Sequence, residues 1–84
     1  MENYKDKDIE YVKKEAKTLY DSMFMDDEVI AARKHVYAMI YNNMSMIFGC
    51  QMGGFDKLEL SKSEIKEIIK NVVDNDERQL NYKK

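Results

Sequence analysis

Proline is absent from this sequence, and glycine occurs only at positions 49, 53 and 54. The turn punctuation of an all-β chain is therefore missing. Cysteine occurs once, at position 50. No disulfide can form within the chain, and a lone thiol suits a reducing compartment, which sets the expectation of a cytoplasmic protein. Long apolar runs are missing too. The longest, Val36 to Tyr41, has six residues, against the ~20 that a membrane-spanning helix requires. The opening "MENYKDKDIEYVKKEAK" keeps its charge where a signal peptide needs an apolar region, so neither a leader nor a membrane partner is expected. Charge of one sign is not in surplus: 14 basic residues stand against 16 acidic ones, a formal net charge of -2. The stripe Lys62, Lys66, Lys70 is interleaved with Glu59, Glu64 and Glu67, and Lys13, Lys14 and Lys17 with Glu10 and Glu15. Such mixed stripes read as solvated helix faces, and no nucleic acid is expected as a partner.

What is present is helical spacing over a single domain, residues 1–84. Ile9, Val12, Ala16, Leu19, Tyr20, Met23 and Phe24 share one arc of about 140° at helical geometry, predicting a first helix over about 8–24. "MDDEV" breaks that pattern, and Asp26 or Asp27 can cap a second helix with Glu28 near its positive end, predicted over about 27–50. Ser61 and Glu64 match a capping box, and Leu60 and Ile65 stand where a hydrophobic staple needs them. A third helix follows over about 62–75, presenting Ile65, Ile68, Ile69, Val72 and Val73. It ends there because Asp76 would otherwise enter the apolar face. Residues 1–6 and 76–84 are expected to fray, with Leu80 and Tyr82 able to fold back. The fold class is thus all-α, a small three-helix bundle with a long central helix.

That central helix is apolar over too wide an arc. Val29, Ile30, Val36, Tyr37, Ile40, Tyr41, Met44, Ile47 and Phe48 fill one sector, and Ala32, Met39, Met46 and Cys50 a second beside it, about 220° together. The expectation is a helix sandwiched between its two neighbours with apolar surface left over. The remaining narrow face holds Ala31, Ala38, Ser45 and Gly49, which would admit the close approach of another helix.

Catalytic chemistry finds no footing. His35 and Cys50 are the obvious base and nucleophile, and fifteen residues of one helix hold them roughly 22 Å apart. "MSMIFGCQM" offers thioethers and a thiol of the kind that copper(I) prefers, but Met39 and Met46 are about 10 Å apart along the axis. No paired cysteine or histidine motif completes a ligand set, so neither a metal nor a cofactor is expected.

The run "GGFDKLELSKSEIKEIIKN", residues 53–71, resembles the loop and exit helix of the variant EF-hand in small dimeric calcium-sensing proteins. That resemblance implies Glu64 as a bidentate calcium ligand, joined by Asp56 and nearby backbone carbonyls. The ordinary EF-hand loop would put Gly53, Phe55 and Lys57 at acidic positions and Leu58 where glycine makes the sharp turn.

Six of the seven methionines lie between Met23 and Met52, among Tyr37, Tyr41, Phe48 and Phe55. Methionine surfaces adapt to partners of several shapes, and aromatic residues anchor interfaces. The sequence therefore reads as a non-enzymatic interaction module, a regulator or inhibitor, with Met39, Asn42, Met46, Cys50 and Phe55 as candidate partner-binding residues. A homodimer formed through the second helix would also enlarge the small core of an 84-residue chain. An inhibitor of the compact kind made by phages and mobile elements, and a calcium-responsive protein, are the alternative readings.

Overall fold

The computed structural model describes residues 4–25 and 32–82. Among the described residues there are three helices, α1, Tyr4–Met23; α2, Arg33–Met52; and α3, Lys62–Asn75, with a 3-10 turn, Phe55–Lys57, between the last two. The three pack against one another as an all-α bundle in which α2 runs antiparallel to its neighbours. Expected and observed helices agree most closely at α3. Its Ser61 hydroxyl accepts from the Glu64 amide at 3.1 Å while the Glu64 carboxylate accepts from the Ser61 amide at 3.1 Å. Leu60 and Ile65, on either side of this box, are both buried. Each half of the box satisfies an amide that the first helical turn would leave unpaired.

Other boundaries differ from the sequence expectation. α1 begins at Tyr4 rather than near residue 8, so residues 4–6 are helical. Lys5 bridges Glu64 at 2.9 Å, and Asp8 accepts from the Glu59 amide at 2.7 Å. These contacts give the first turn partners in the loop before α3 and at its start. The anticipated caps Asp26 and Asp27 lie outside the described residues, as do Val29 and Ile30. α2 itself starts at Arg33, after Ala32 in an extended conformation at φ -158° and ψ 153° with no side-chain cap. Extended backbone at Ala32 rules out one continuous helix from residue 27. At its other end α2 continues through Gly49 to Met52, past the expected stop at Cys50. Gly53 and Gly54 then turn the chain with φ of 89° and 114°, where a side chain would be strained. The Gly54 amide donates to the Phe48 carbonyl at 3.0 Å, closing the helix end.

The core is a set of diagonals. Val12, Ala16 and Tyr20 of α1, Val36, Ile40, Met44 and Phe48 of α2, and Ile65, Ile69 and Val73 of α3 are fully buried, each series stepping by four residues along one helix face. α2 is not sandwiched between the outer helices as the sequence suggested. α1 and α3 meet along the broadest seam of the bundle, and the three helices close a triangle. Facing apolar sides on α1 and α3 make this arrangement favourable, because each covers what the other would expose.

The tail does not fray through Tyr82. Leu80 is buried at 8% exposure, and Tyr82 is half-buried against the same core. Arg78 ties the tail to the end of α1: its guanidinium pairs with Asp21 and lies 4.5 Å from the Phe24 ring centre. It also bonds Asp76 at 3.0 Å, and Lys17 approaches the same carboxylate at 3.6 Å. The Arg33 guanidinium lies 4.8 Å from the centre of the Tyr82 ring. The tail thus crosses the end of the bundle where α1 and α3 finish and α2 begins.

Candidate functional site

α2 carries most of the residues singled out in the sequence, and its buried diagonal decides which of them reach solvent. With Val36, Ile40, Met44 and Phe48 turned inward, the opposite sector holds Ala38, Asn42, Ser45, Met46 and Gly49, all exposed. Met46 is 70% exposed, conspicuous for a large apolar side chain. Cys50 is also exposed, and Met39 is half-buried at the edge of this sector. Ala38, Ser45 and Gly49 keep this sector low, and a Cβ added at Gly49 would meet nothing within 4 Å.

Phe55 belongs elsewhere. It is buried at 8% exposure, edge-on to Phe48 at 5.4 Å and tilted against Tyr41 at 5.2 Å. Tyr11 of α1 completes the group, edge-on to Phe48 at 5.2 Å. The glycine turn aims Phe55 back into the bundle, where edge-to-face ring contacts and apolar burial hold it. It is therefore a core residue and leaves the candidate binding set, while Asn42, Met46 and Cys50 share the outer side of α2 with Met39 at its edge.

His35 and Cys50 are both exposed on one unbroken helix, so the helical rise holds them roughly 22 Å apart. Both oxygens of Glu64, the carboxylate central to the calcium resemblance, are engaged, one by the Ser61 amide and the other by Lys5. The Lys5 ammonium and the Ser61 amide hold its carboxyl below the usual carboxylate range. Among the described residues, no three acidic, histidine or cysteine groups are placed to share a metal ion, and no helix is long and apolar enough to cross a membrane.

The other flank of α2 meets α3. A groove of about 480 Å³ opens there, with Tyr37 and Tyr41 beside Ala38, and with Lys34, Lys66 and Lys70 around them. Asn42 and Glu67 complete its lining. At one end Asp74 accepts from the Tyr37 hydroxyl and, at 3.1 Å, from Arg33. Partial burial pushes the Asp74 carboxyl up, but these two bonds outweigh it and keep the group below its ordinary value. Burial and the Asp74 contact together push the Tyr37 phenol up to about 12, so it stays a hydrogen-bond donor. The Lys66 ammonium stands 5.1 Å from the centre of the Tyr41 ring, a cation–π arrangement that fixes a positive charge at the groove wall. The stripe Lys62, Lys66, Lys70 was visible in the sequence. What was invisible is that α2 brings Lys34 and two tyrosines to face it.

No family model, curated protein or solved structure matches this chain.

Proposed function

We propose that this chain is a non-enzymatic protein-interaction module of the regulator or inhibitor type, working through the outward face of α2, with self-association as the simplest use of that face. One observation carries the reading: Met46 stands 70% exposed on a face it shares with His35 and with the small or amide side chains of Ala38, Asn42, Ser45 and Gly49. Seating one such side chain in a partner contributes about 2 kcal/mol. The low profile of Ala38, Ser45 and Gly49 lets a second helix approach closely enough to cover it. Gly49 adds support, because glycine inside a helix costs about 1 kcal/mol relative to alanine and no contact among the described residues requires it there. A reducing cytoplasm suits the exposed thiol of Cys50.

Light scattering coupled to size exclusion tests the self-associating form, which should show about twice the 10.0 kDa chain mass. Met46→Asp should return the protein to one chain while leaving its helical circular dichroism unchanged. If the protein runs as a monomer, capture from its native host should bring down one protein in stoichiometric amount. A monomer that captures nothing overturns the reading.

A further inference from the structure

The groove between α2 and α3 borders the Met46 face, sharing Ala38 and Asn42 with it, and has its own chemistry. Three ammonium groups, on Lys34, Lys66 and Lys70, surround it against the single carboxylate of Glu67, in a chain whose formal charge is -2. Among the described residues, none of the three lysines lies within ion-pair distance of a carboxylate. Asp74, at the groove's end, is committed to Arg33 and Tyr37. Lys70 adds to the charges that hold Asp74 low and Lys66 stands over the Tyr41 ring, which leaves the groove a surplus of positive charge.

The floor narrows the class of occupant. Tyr41 has Phe55 against it and the Lys66 ammonium near its ring, and the Tyr37 hydroxyl is anchored on Asp74. These rings are poorly placed to sandwich a nucleic-acid base, which binds single-stranded sites by lying flat on an open aromatic face. They do make apolar walls beside Ala38, whose small side chain leaves the groove its depth. Such a slot suits an aliphatic or aromatic side chain with carboxylates on either side of it.

We propose that the α2–α3 groove docks an acidic segment of a partner protein, an apolar side chain seated over Ala38 beside Tyr37 and Tyr41, and carboxylates paired with Lys34, Lys66 and Lys70. This deepens the interaction-module reading by giving a partner's chemistry, and it rests on that reading. Complementary charge steers such an encounter and fixes its register more than it adds affinity. The segment itself supplies the apolar anchor.

Panning a random dodecapeptide phage library on the full chain at low salt tests it. Selected peptides should be rich in aspartate and glutamate around a leucine, phenylalanine or methionine. Added to labelled protein, the best of them should move the amide resonances of residues 34–42 and 66–70. The combined change Lys34→Gln, Lys66→Gln, Lys70→Gln should weaken binding by about tenfold, the scale of three exposed ion pairs. Ala38→Glu should abolish it. All four positions are exposed, so helicity should survive and report a folded variant. The groove proposal is overturned if no acidic consensus emerges, if the triple variant binds unchanged, or if concentration alone moves the groove resonances of the free protein, which would seat a second copy there. It is overturned equally if single-stranded oligothymidylate moves the same amides at lower concentration. Peptides that move residues around Met46 would remove the groove and leave the interaction module standing. A monomer that selects no peptide and captures no host protein removes both.

Discussion

The hydroxyl of Tyr20, at the end of α1, donates to the carbonyl of Arg78, 58 residues later, at 3.2 Å, and lies 3.4 Å from the hydroxyl of Tyr82. A fully buried aromatic ring thereby presents its one polar atom to the tail, and the tail satisfies it. Burial and the Tyr82 contact both push the Tyr20 phenol well above its ordinary value, so it keeps its proton and serves as a donor. Tyr20→Phe keeps the ring and removes the bond. The variant should lose about 1 kcal/mol in urea unfolding, and trypsin should cleave after Arg78 faster than in the parent chain. Unchanged cleavage would mean that the tail is held without Tyr20.

The same tail carries a pH dependence. Side-chain and backbone hydrogen bonds from Arg78 hold the Asp76 carboxyl down to about 2, whereas an unfolded aspartate titrates near ~3.9. Because the folded value is the lower one, the bridge contributes fully above about pH 4 and fades as acid takes the group through its folded value. Resonances of Leu80 and Tyr82 should move across that window, ahead of those of Val12 or Ile69. Asp76→Asn should remove the acid step, and a tail indifferent to acid would contradict the role given to Asp76.

At the start of α3, Glu64 does two jobs that substitution can separate. Glutamine can still accept from the Ser61 amide but cannot pair with Lys5. The Lys5–Glu64 bridge is solvent-exposed on both sides and is worth little, so Glu64→Gln should cost under about 0.5 kcal/mol. Ser61→Ala removes the cap and should cost about 1 kcal/mol. Equal losses in chemical denaturation would mean that the bridge holds this helix end as firmly as the cap.

Phe55 and Met46 make a matched pair for telling core from surface. Phe55→Ala should destabilise by about 3–5 kcal/mol, enough to leave a small domain largely unfolded. Phe55→Leu keeps more of the volume and provides a folded comparison. Met46→Asp should stay within about 0.5 kcal/mol of the parent at concentrations where the chain is monomeric. A large loss from Met46→Asp in the monomer would place that side chain in the core.

Gly49 gives an opposite-signed test of the α2 face. Its Cβ would enter open space, so Gly49→Ala should raise monomer stability by about 0.5–1 kcal/mol. If a second helix packs there, the same change should weaken association. Stabilisation accompanied by unchanged self-association would free Gly49 from the interface.

How much of this was legible in the sequence depended on the range of the interactions involved. α3 was readable to the residue because its cap, its staple and its apolar face all lie within a few positions of one another. The start of α2 was not: Asp26, Asp27 and Glu28 advertise a cap, whereas the described helix begins after Ala32, which offers the first turn no side-chain acceptor. Phe55 was misplaced because an aromatic beside two glycines looks exposed until Tyr41 and Phe48 are seen to converge on it. The tail hinted at its course through Leu80 and Tyr82, but Arg78 acts only because Asp21 and Phe24 finish α1 beside it. For the candidate site, Met46 and Cys50 could be placed on an outer edge from helical spacing alone. The α2–α3 groove could not, since it depends on how two helices align across the turn between them.

The broad seam between α1 and α3 also shapes how the chain reaches its fold. A ribosome delivers α1 first and α2 next, yet the surface that best covers Val12 and Ala16 arrives only with Ile65, Ile69 and Val73. Closing the triangle requires a contact between helices far apart in sequence, which slows folding relative to a bundle of purely local pairs.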